Sequence, residues 1–208
     1  MPNEPIIICR ANEVFKHLDQ QFVAAVLSIE HPGAEQERRG AAPRLAASDH
    51  DAVPQKILTF WDSEQQVKNG PDKAQVKAGL DFVMDHINEG PVIIHCAAGK
   101  ARSTALALGV LSLLKPDLNE KELVELLLHI RPQAAPNLLV VEMVDEMTGR
   151  GGKLKQAVLD NPVITERRME AEQSRVRMMM ENPGIAALLF PEKLVRNFSP
   201  KKPGPKTP

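Results

Sequence analysis

Residues 95–103 read His95-Cys96-Ala97-Ala98-Gly99-Lys100-Ala101-Arg102-Ser103. One cysteine, five further residues, then arginine and serine are the groups with which a thiolate could attack a bound tetrahedral oxyanion. The thiolate is the reactive form, so the site must lower the thiol pKa from about 8.5 towards roughly 3.5–7.5, the range seen at helix N-termini and beside cations. Both aids are adjacent to Cys96. Arg102 carries a planar fork of donors that grips two oxygens at once, which a lysine cannot do. Gly99 permits a backbone angle that other residues resist, so the loop Ala97, Ala98, Gly99, Lys100, Ala101, Arg102 can turn its amides inward. Ser103 can donate to the sulfur and ease its departure in a second step.

The flanking elements suit this chemistry. Pro91–His95 is a short apolar run and reads as a buried strand, and Ser103–Leu114 is apolar all round and reads as a buried helix. Strand, tight loop and helix in that order bring backbone N–H groups together at a helix N-terminus, a site for a dianionic phosphate. His95, directly before the cysteine, is a supporting residue.

With these neighbours, the Cys-x5-Arg-Ser run resembles the phosphate loop of the cysteine-dependent protein tyrosine and dual-specificity phosphatase superfamily. The similarity is to its compact bacterial dual-specificity-like members. It implies an α/β fold over about residues 5–150, with a mostly parallel central sheet, helices on both faces and the site at the carboxyl end of the central strand. It also implies a general acid after an earlier strand. Lys56–Asp62 is such a run, and Asp62 ends it about thirty residues before the cysteine. Asp49, Asp51 and Asp72 are the rivals for that role. The Trp-Pro-Asp triplet of the larger tyrosine-specific enzymes is missing here. The segment Arg131-Pro132-Gln133-Ala134-Ala135-Pro136-Asn137 is similar to one that opens a helix near the phosphate loop in compact members. By residue type, Asn137 caps Leu138–Met147, and it is expected to support the site without reacting.

The resemblance implies phosphomonoester hydrolysis through a phosphocysteine intermediate, without metal or cofactor, on phosphotyrosine and also phosphoserine or phosphothreonine in proteins. Two other readings stand beside it. Lys100 makes the loop similar to members that act on inositol phospholipids, although the position after the cysteine is Ala97, where those members carry lysine. The other is a phosphate-binding module without turnover.

Composition bounds the rest. The 208 residues are 43% hydrophobic with no tyrosine and 3% aromatics, so the core must be aliphatic. Two cysteines make no disulfide framework, and a catalytic thiolate suits the cytoplasm. Cys9 ends an apolar run and reads as core, with a redox partnership to Cys96 as the alternative. No basic, signal-like segment precedes the first apolar stretch, and no run approaches the roughly 20 apolar residues of a membrane span. Asp49-His50-Asp51 has metal-ligating types, but adjacent residues on a loop make a poor ligand set, and no metal is expected.

Along the chain, the expected elements are strands at Ile6–Cys9 and Phe22–Ile29 with a short helix Asn12–Leu18 between them. A long loop follows over Glu30–Gln55, with a helical turn near Ala34–Arg39. Helices are expected at Pro71–Glu89, Asn119–Ile130 and Leu138–Met147. Beyond residue 150 a helical extension (151–198, with a helix at Thr165–Glu181) leads to a disordered basic, Pro-rich tail (199–208). Residues 1–149 carry 14 Lys/Arg against 21 Asp/Glu, a net of −7, whereas residues 150–208 carry 12 against 6, a net of +6. The basic part is expected to contact the acidic body or an anionic surface, with Met178, Met179 and Met180 packing inward, and no nucleic-acid partner is expected.

Overall fold

Short runs of β-branched and aliphatic residues form four strands: β1 (Ile6–Arg10), β2 (Ala25–Glu30), β3 (Gln55–Thr59) and β4 (Val92–Cys96). The structure is a computed structural model and describes residues 5–37 and 40–181. All four strands pair in parallel in the order β1-β4-β2-β3. Parallel sheets need cover on both faces, which is why β4 is apolar at nearly every position and wholly buried. In register, Cys96 lies between Arg10 of β1 and Ile29 of β2. The last residue of an interior strand is thereby held from both sides.

Strand alternation sorts the core. Ile6 and Ile8 of β1, Ala25, Leu27 and Ile29 of β2, and Val92, Ile94 and Cys96 of β4 face one way, into the main apolar cluster. Cys9, Val26 and Ile93 face the other way, onto Val14, Leu45 and Val53. The first face is covered by α3 (Lys73–His86), α4 (Arg102–Leu114), α5 (Glu120–Ile130) and α6 (Leu138–Met147). The second is covered by α1 (Val14–Gln20) and the stretch that follows the short α2 (Ala34–Glu37). Helices therefore lie on both faces, but unequally. The central helix α4 is buried at eleven of its thirteen positions, Arg102 to Ser112. Full burial of each Leu or Val there contributes about 1.5–3 kcal/mol.

Several boundaries differ from the sequence expectation for identifiable reasons. The helix expected from Pro71 starts at Lys73, because Asp72 is its N-cap and accepts from Gln75 N at 2.8 Å. The second strand starts at Ala25, and Phe22 before it is 70% exposed. β3 stops at Thr59, so Phe60, Trp61 and Asp62 lie beyond the ladder. The loop 30–55 holds α2, where its helical turn was expected, and a 3₁₀ turn at Leu45–Ala47.

After α6, Asp145 is 2% exposed and accepts from Gly152 N and Lys155 N, at 2.6 and 2.8 Å. It thereby caps α7 (Lys153–Asp160). Leu154, Ala157 and Val158 of α7 and Ile164 of α8 (Pro162–Glu181) join the main core. The chain divides after Arg167 into two compact units, and the rest of α8 belongs to the second. The side chains of Met178 to Met180 and the tail 199–208 lie outside the described residues. Among the described residues, no helix is long and apolar enough to cross a membrane.

On the α1 face a polar chain crosses the sheet. Gln55 Nε2 donates to Ser28 Oγ at 2.8 Å, and Ser28 Oγ lies 2.7 Å from His95 Nε2. His95 is 1% exposed, and burial pushes its pKa down to about 4 from 6.5. The folded protein therefore holds His95 neutral, while the unfolded chain takes up a proton below about pH 6.5. This contribution is complete above pH 6.5 and is lost as pH falls towards 4, amounting to on the order of 3 kcal/mol. Urea denaturation from pH 7 to 4 should show a shallower acid loss for His95→Asn than for wild type. Parallel curves would contradict the assignment.

Candidate active site

Three segments converge at the carboxyl end of β4. The first is the loop between β4 and α4. Cys96 is buried, and its Sγ lies 3.3 Å from Ser103 Oγ, on the first turn of α4. Burial alone pushes the Cys96 thiol up. The Arg102 guanidinium, the Ser103 hydroxyl and the Ser103 backbone N–H outweigh it and hold the thiol below its ordinary value, against the opposing charge of Asp62. A buried thiol whose pKa is nonetheless lowered by its neighbours is a candidate nucleophile.

The loop's backbone carbonyls are engaged. Gly99 O accepts from Arg131 Nε at 3.0 Å, Lys100 O from Ala135 N at 2.8 Å, and Ala101 O from Asn137 N at 3.3 Å. Thr104 Oγ1 donates to Lys100 O and Ala101 O. No backbone carbonyl partner is found among the described residues for the N–H groups of Ala98 to Ala101. Carbonyls tied outward and amides left over make a cradle for an anion. Gly99 has φ +62°, and a Cβ there would stand 2.3 Å from Cys9 O. Only glycine lets the loop rest on the end of β1.

Arg102 is 5% exposed, and its NH1 donates to Phe60 O at 2.9 Å. Its Nε is buried without a partner among the described residues. A buried guanidinium with an unspent donor beside the Cys96 thiol is suited to bind the oxygens of a tetrahedral anion.

The second segment is Phe60–Asp62. Phe60 N donates to Glu30 O at 3.0 Å, so this stretch is anchored to β2 on one side and Arg102 on the other. Trp61 stacks on His31, with ring centroids 5.4 Å apart. The third segment is 131–137. Asn137 is 1% exposed, and its Oδ1 caps α6 by accepting from Leu139 N and Val140 N, both at 3.1 Å. Its Nδ2 donates to Asp62 Oδ1 at 2.8 Å and to Ser63 O at 3.1 Å. One amide thus caps a helix and holds the aspartate 75 positions away.

The site residues expected from the sequence come together: Cys96, Arg102, Ser103, Asp62 and Asn137, with Ala97 to Ala101 as the loop. The rivals of Asp62 lie elsewhere. Asp72 caps α3. Asp49 and Asp51 are exposed and flank His50, which bonds Asp19 Oδ1 at 3.0 Å and stacks on Phe15 of α1. Cys9 lies on the opposite sheet face from Cys96, and its thiol is pushed up to about 12 by burial first and by Glu13 next. It is a core residue, and this placement gives no support to a disulfide with Cys96.

Two features had no separate signal in the sequence. Arg131 ties the loop from outside. Glu30 is 5% exposed and accepts both Arg44 guanidinium nitrogens and Ala42 N, each at 2.9 Å. These bonds hold its carboxyl below the usual range against the cost of burial. This pair fixes the turn at Gly40, where a Cβ would reach 3.2 Å from Ala97 Cβ.

No family model matches this sequence, and no curated protein matches it. Solved structures do match. PTPMT1 in complex with PI(5)P is 19% identical with a TM-score of 0.54, covering 69% of this chain and 88% of that one. DUSP15 is 16% identical with a TM-score of 0.54, covering 76% and 94%. The human tyrosine phosphatase-like serine/threonine/tyrosine-interacting protein is 12% identical with a TM-score of 0.57, covering 70% and 92%. The fold is dual-specificity phosphatase-like.

Asn137 offers a test of the convergence. Asn137→Ala should cost about 1 kcal/mol or more of stability by removing the cap. Asn137→Asp keeps an oxygen for the cap but sets a second carboxylate against Asp62. Denaturation curves should show Asn137→Asp the more stable of the two near neutral pH. Its hydrogen exchange should nevertheless reveal a loosened segment 61–65, and unchanged protection there would contradict the tie.

Proposed function

We propose that this chain is a metal-independent phosphomonoesterase that works through a phosphocysteine intermediate. The observation that carries the reading is the buried Cys96, kept towards the thiolate by Arg102 and Ser103 at the mouth of an amide-lined loop. The phosphate dianion sits on the N–H groups of Ala97 to Arg102, with the Arg102 guanidinium gripping its oxygens. Cys96 Sγ attacks phosphorus in line as the P–O bond to the leaving group breaks. Asp62 gives its proton to the departing oxygen. Asp62, now a carboxylate, then takes a proton from water as that water attacks phosphorus. The S–P bond breaks, and the sulfur leaves as a thiolate that Ser103 stabilises. The electrostatic work is done by arginine and backbone dipoles, so no metal is required.

The substrate proposed is a phosphorylated protein, with phosphotyrosine foremost and phosphoserine or phosphothreonine as further candidates. Phosphoinositides are the second reading. It is favoured by Lys100, which is exposed on the loop, and by the likeness to PTPMT1, whose structure holds PI(5)P. A panel of phosphopeptides and inositol phosphates separates the two.

Cys96→Ser should abolish turnover while vanadate still binds, and wild-type activity should survive EDTA. Asp62→Asn should lower kcat by about 10²–10⁴-fold for alkyl phosphates, whose leaving oxygens need a proton. Aryl phosphates with acidic phenols should lose much less. A leaving-group series in both proteins checks this, and equal losses across the series would make Asp62 structural.

A further inference from the structure

β1 is an edge strand, because its described pairing is to β4 alone. In a parallel ladder, successive residues point their N–H and C=O groups to alternate sides. Pro5 O accepts from Val92 N at 3.0 Å, so the odd-numbered residues of β1 bond to β4. The backbone groups of Ile6, Ile8 and Arg10 therefore point away from the sheet. Arg10 N is taken by Glu13 Oε2 at 2.8 Å. Among the described residues, the N–H and C=O groups of Ile6 and Ile8 have no backbone partner and remain as an open edge.

This edge does not face bare solvent. It forms the floor of a groove of about 490 Å³ between α1 and the end of α5. Lys16 and His17 line one wall, and His129, Ile130 and Arg131 the other. Among the described residues Glu13 is the only carboxylate of the lining, and it is already engaged by Arg10 N and by Arg131 NH1 at 3.9 Å. The described lining therefore holds two cations, Lys16 and Arg131, against one carboxylate, with the imidazoles of His17 and His129 beside them, on a body whose first 149 residues carry a net charge of −7. It also leads to the active site. Arg131 holds Gly99 O, and the last residue of β1 is in register with Cys96.

We propose that the groove takes an extended acidic segment of the phosphoprotein substrate, which adds to the free edge of β1 as a further strand. Main-chain bonds to Ile6 and Ile8 would supply the register, and the Lys16 ammonium with the ring N–H groups of His17 and His129 the selection for carboxylates. A second copy of this chain is the poorer occupant, since edge-to-edge pairing would bring together two linings that each hold more cations than carboxylates. At about 3.3 Å per extended residue, the acidic run would lie roughly four to seven residues from the phosphorylated one. This inference rests on the phosphomonoesterase reading for its choice of partner.

The test compares a small aryl phosphate, a phosphopeptide with neutral flanks, and the same phosphopeptide with an acidic run on either side. A fourth substrate is the acidic peptide with alternate backbone amides N-methylated, which keeps its charge but cannot pair as a strand. Wild type is set against the double variant Lys16→Glu/His129→Glu, both positions being exposed. In wild type, one acidic peptide should have a KM about tenfold below the neutral one at similar kcat. That advantage should vanish in the variant and on N-methylation, while aryl phosphate turnover stays the same in both proteins. Equal KM values for acidic and neutral peptides would overturn the proposal. An advantage that survives N-methylation would leave charge without strand addition and would overturn it too. A wild-type dimer that the double variant splits, seen by sedimentation, would assign the edge to a second copy instead. Anisotropy of the unphosphorylated acidic peptide on wild type and variant reads the groove directly. Turnover of no substrate with peptide binding intact would thus condemn the phosphatase reading alone.

Discussion

The structure turns on a buried thiol that is held below its ordinary pKa. Burial opposes the thiolate of Cys96, and Arg102 and Ser103 overcome that opposition. Each acts only from one position, so the surroundings serve to hold them still. Arg102 is pinned by Phe60 O, Phe60 by Glu30 O, and the loop by Arg131, Ala135 and Asn137 through its carbonyls. Tying the carbonyls outward leaves the amides available to an anion. Positive charge and amides arranged before the substrate arrives need no reorganisation during reaction, which is where preorganised sites gain most.

This arrangement sets demands on the sheet and the core. Cys96 must end an interior strand, flanked by β1 and β2, so that its position does not drift. The helix that carries Arg102 and Ser103 must be rigid, and α4 is buried around nearly its whole circumference. Arg150 binds near the other end of that helix, donating to Leu118 O at 2.8 Å and to Ser112 O at 3.3 Å. A cation at a helix C-terminus is favourable for the same dipolar reason that an anion is favourable at the N-terminus. Arg150 thus complements the carbonyl end of α4.

The sequence was most legible where chemistry is local. The spacing of Cys96, Gly99, Arg102 and Ser103, the caps at Asn119 and Asn137, and the apolar runs of β4 and α4 are short-range signals, and each element lies close to where it was expected. The pairing of Asn137 with Asp62 was not legible, because the two are 75 positions apart and only the fold joins them. The same holds for Arg131 on Gly99 and for Arg44 on Glu30. Asp72 shows how a local signal can be misassigned. It stood as a rival acid, and its carboxylate is instead taken by the first turn of α3. Pro71, assigned to that turn, lies just outside it because the cap comes one residue later.

The most direct test of this account is the pH dependence of Cys96 alkylation by iodoacetate, followed by mass spectrometry in wild type and Arg102→Ala, with and without phosphate. The account predicts a wild-type midpoint well below the roughly 8.5 of a free thiol, protection by phosphate, and a clear upward move of the midpoint in Arg102→Ala. A wild-type midpoint in the ordinary thiol range, or one indifferent to Arg102, would contradict it.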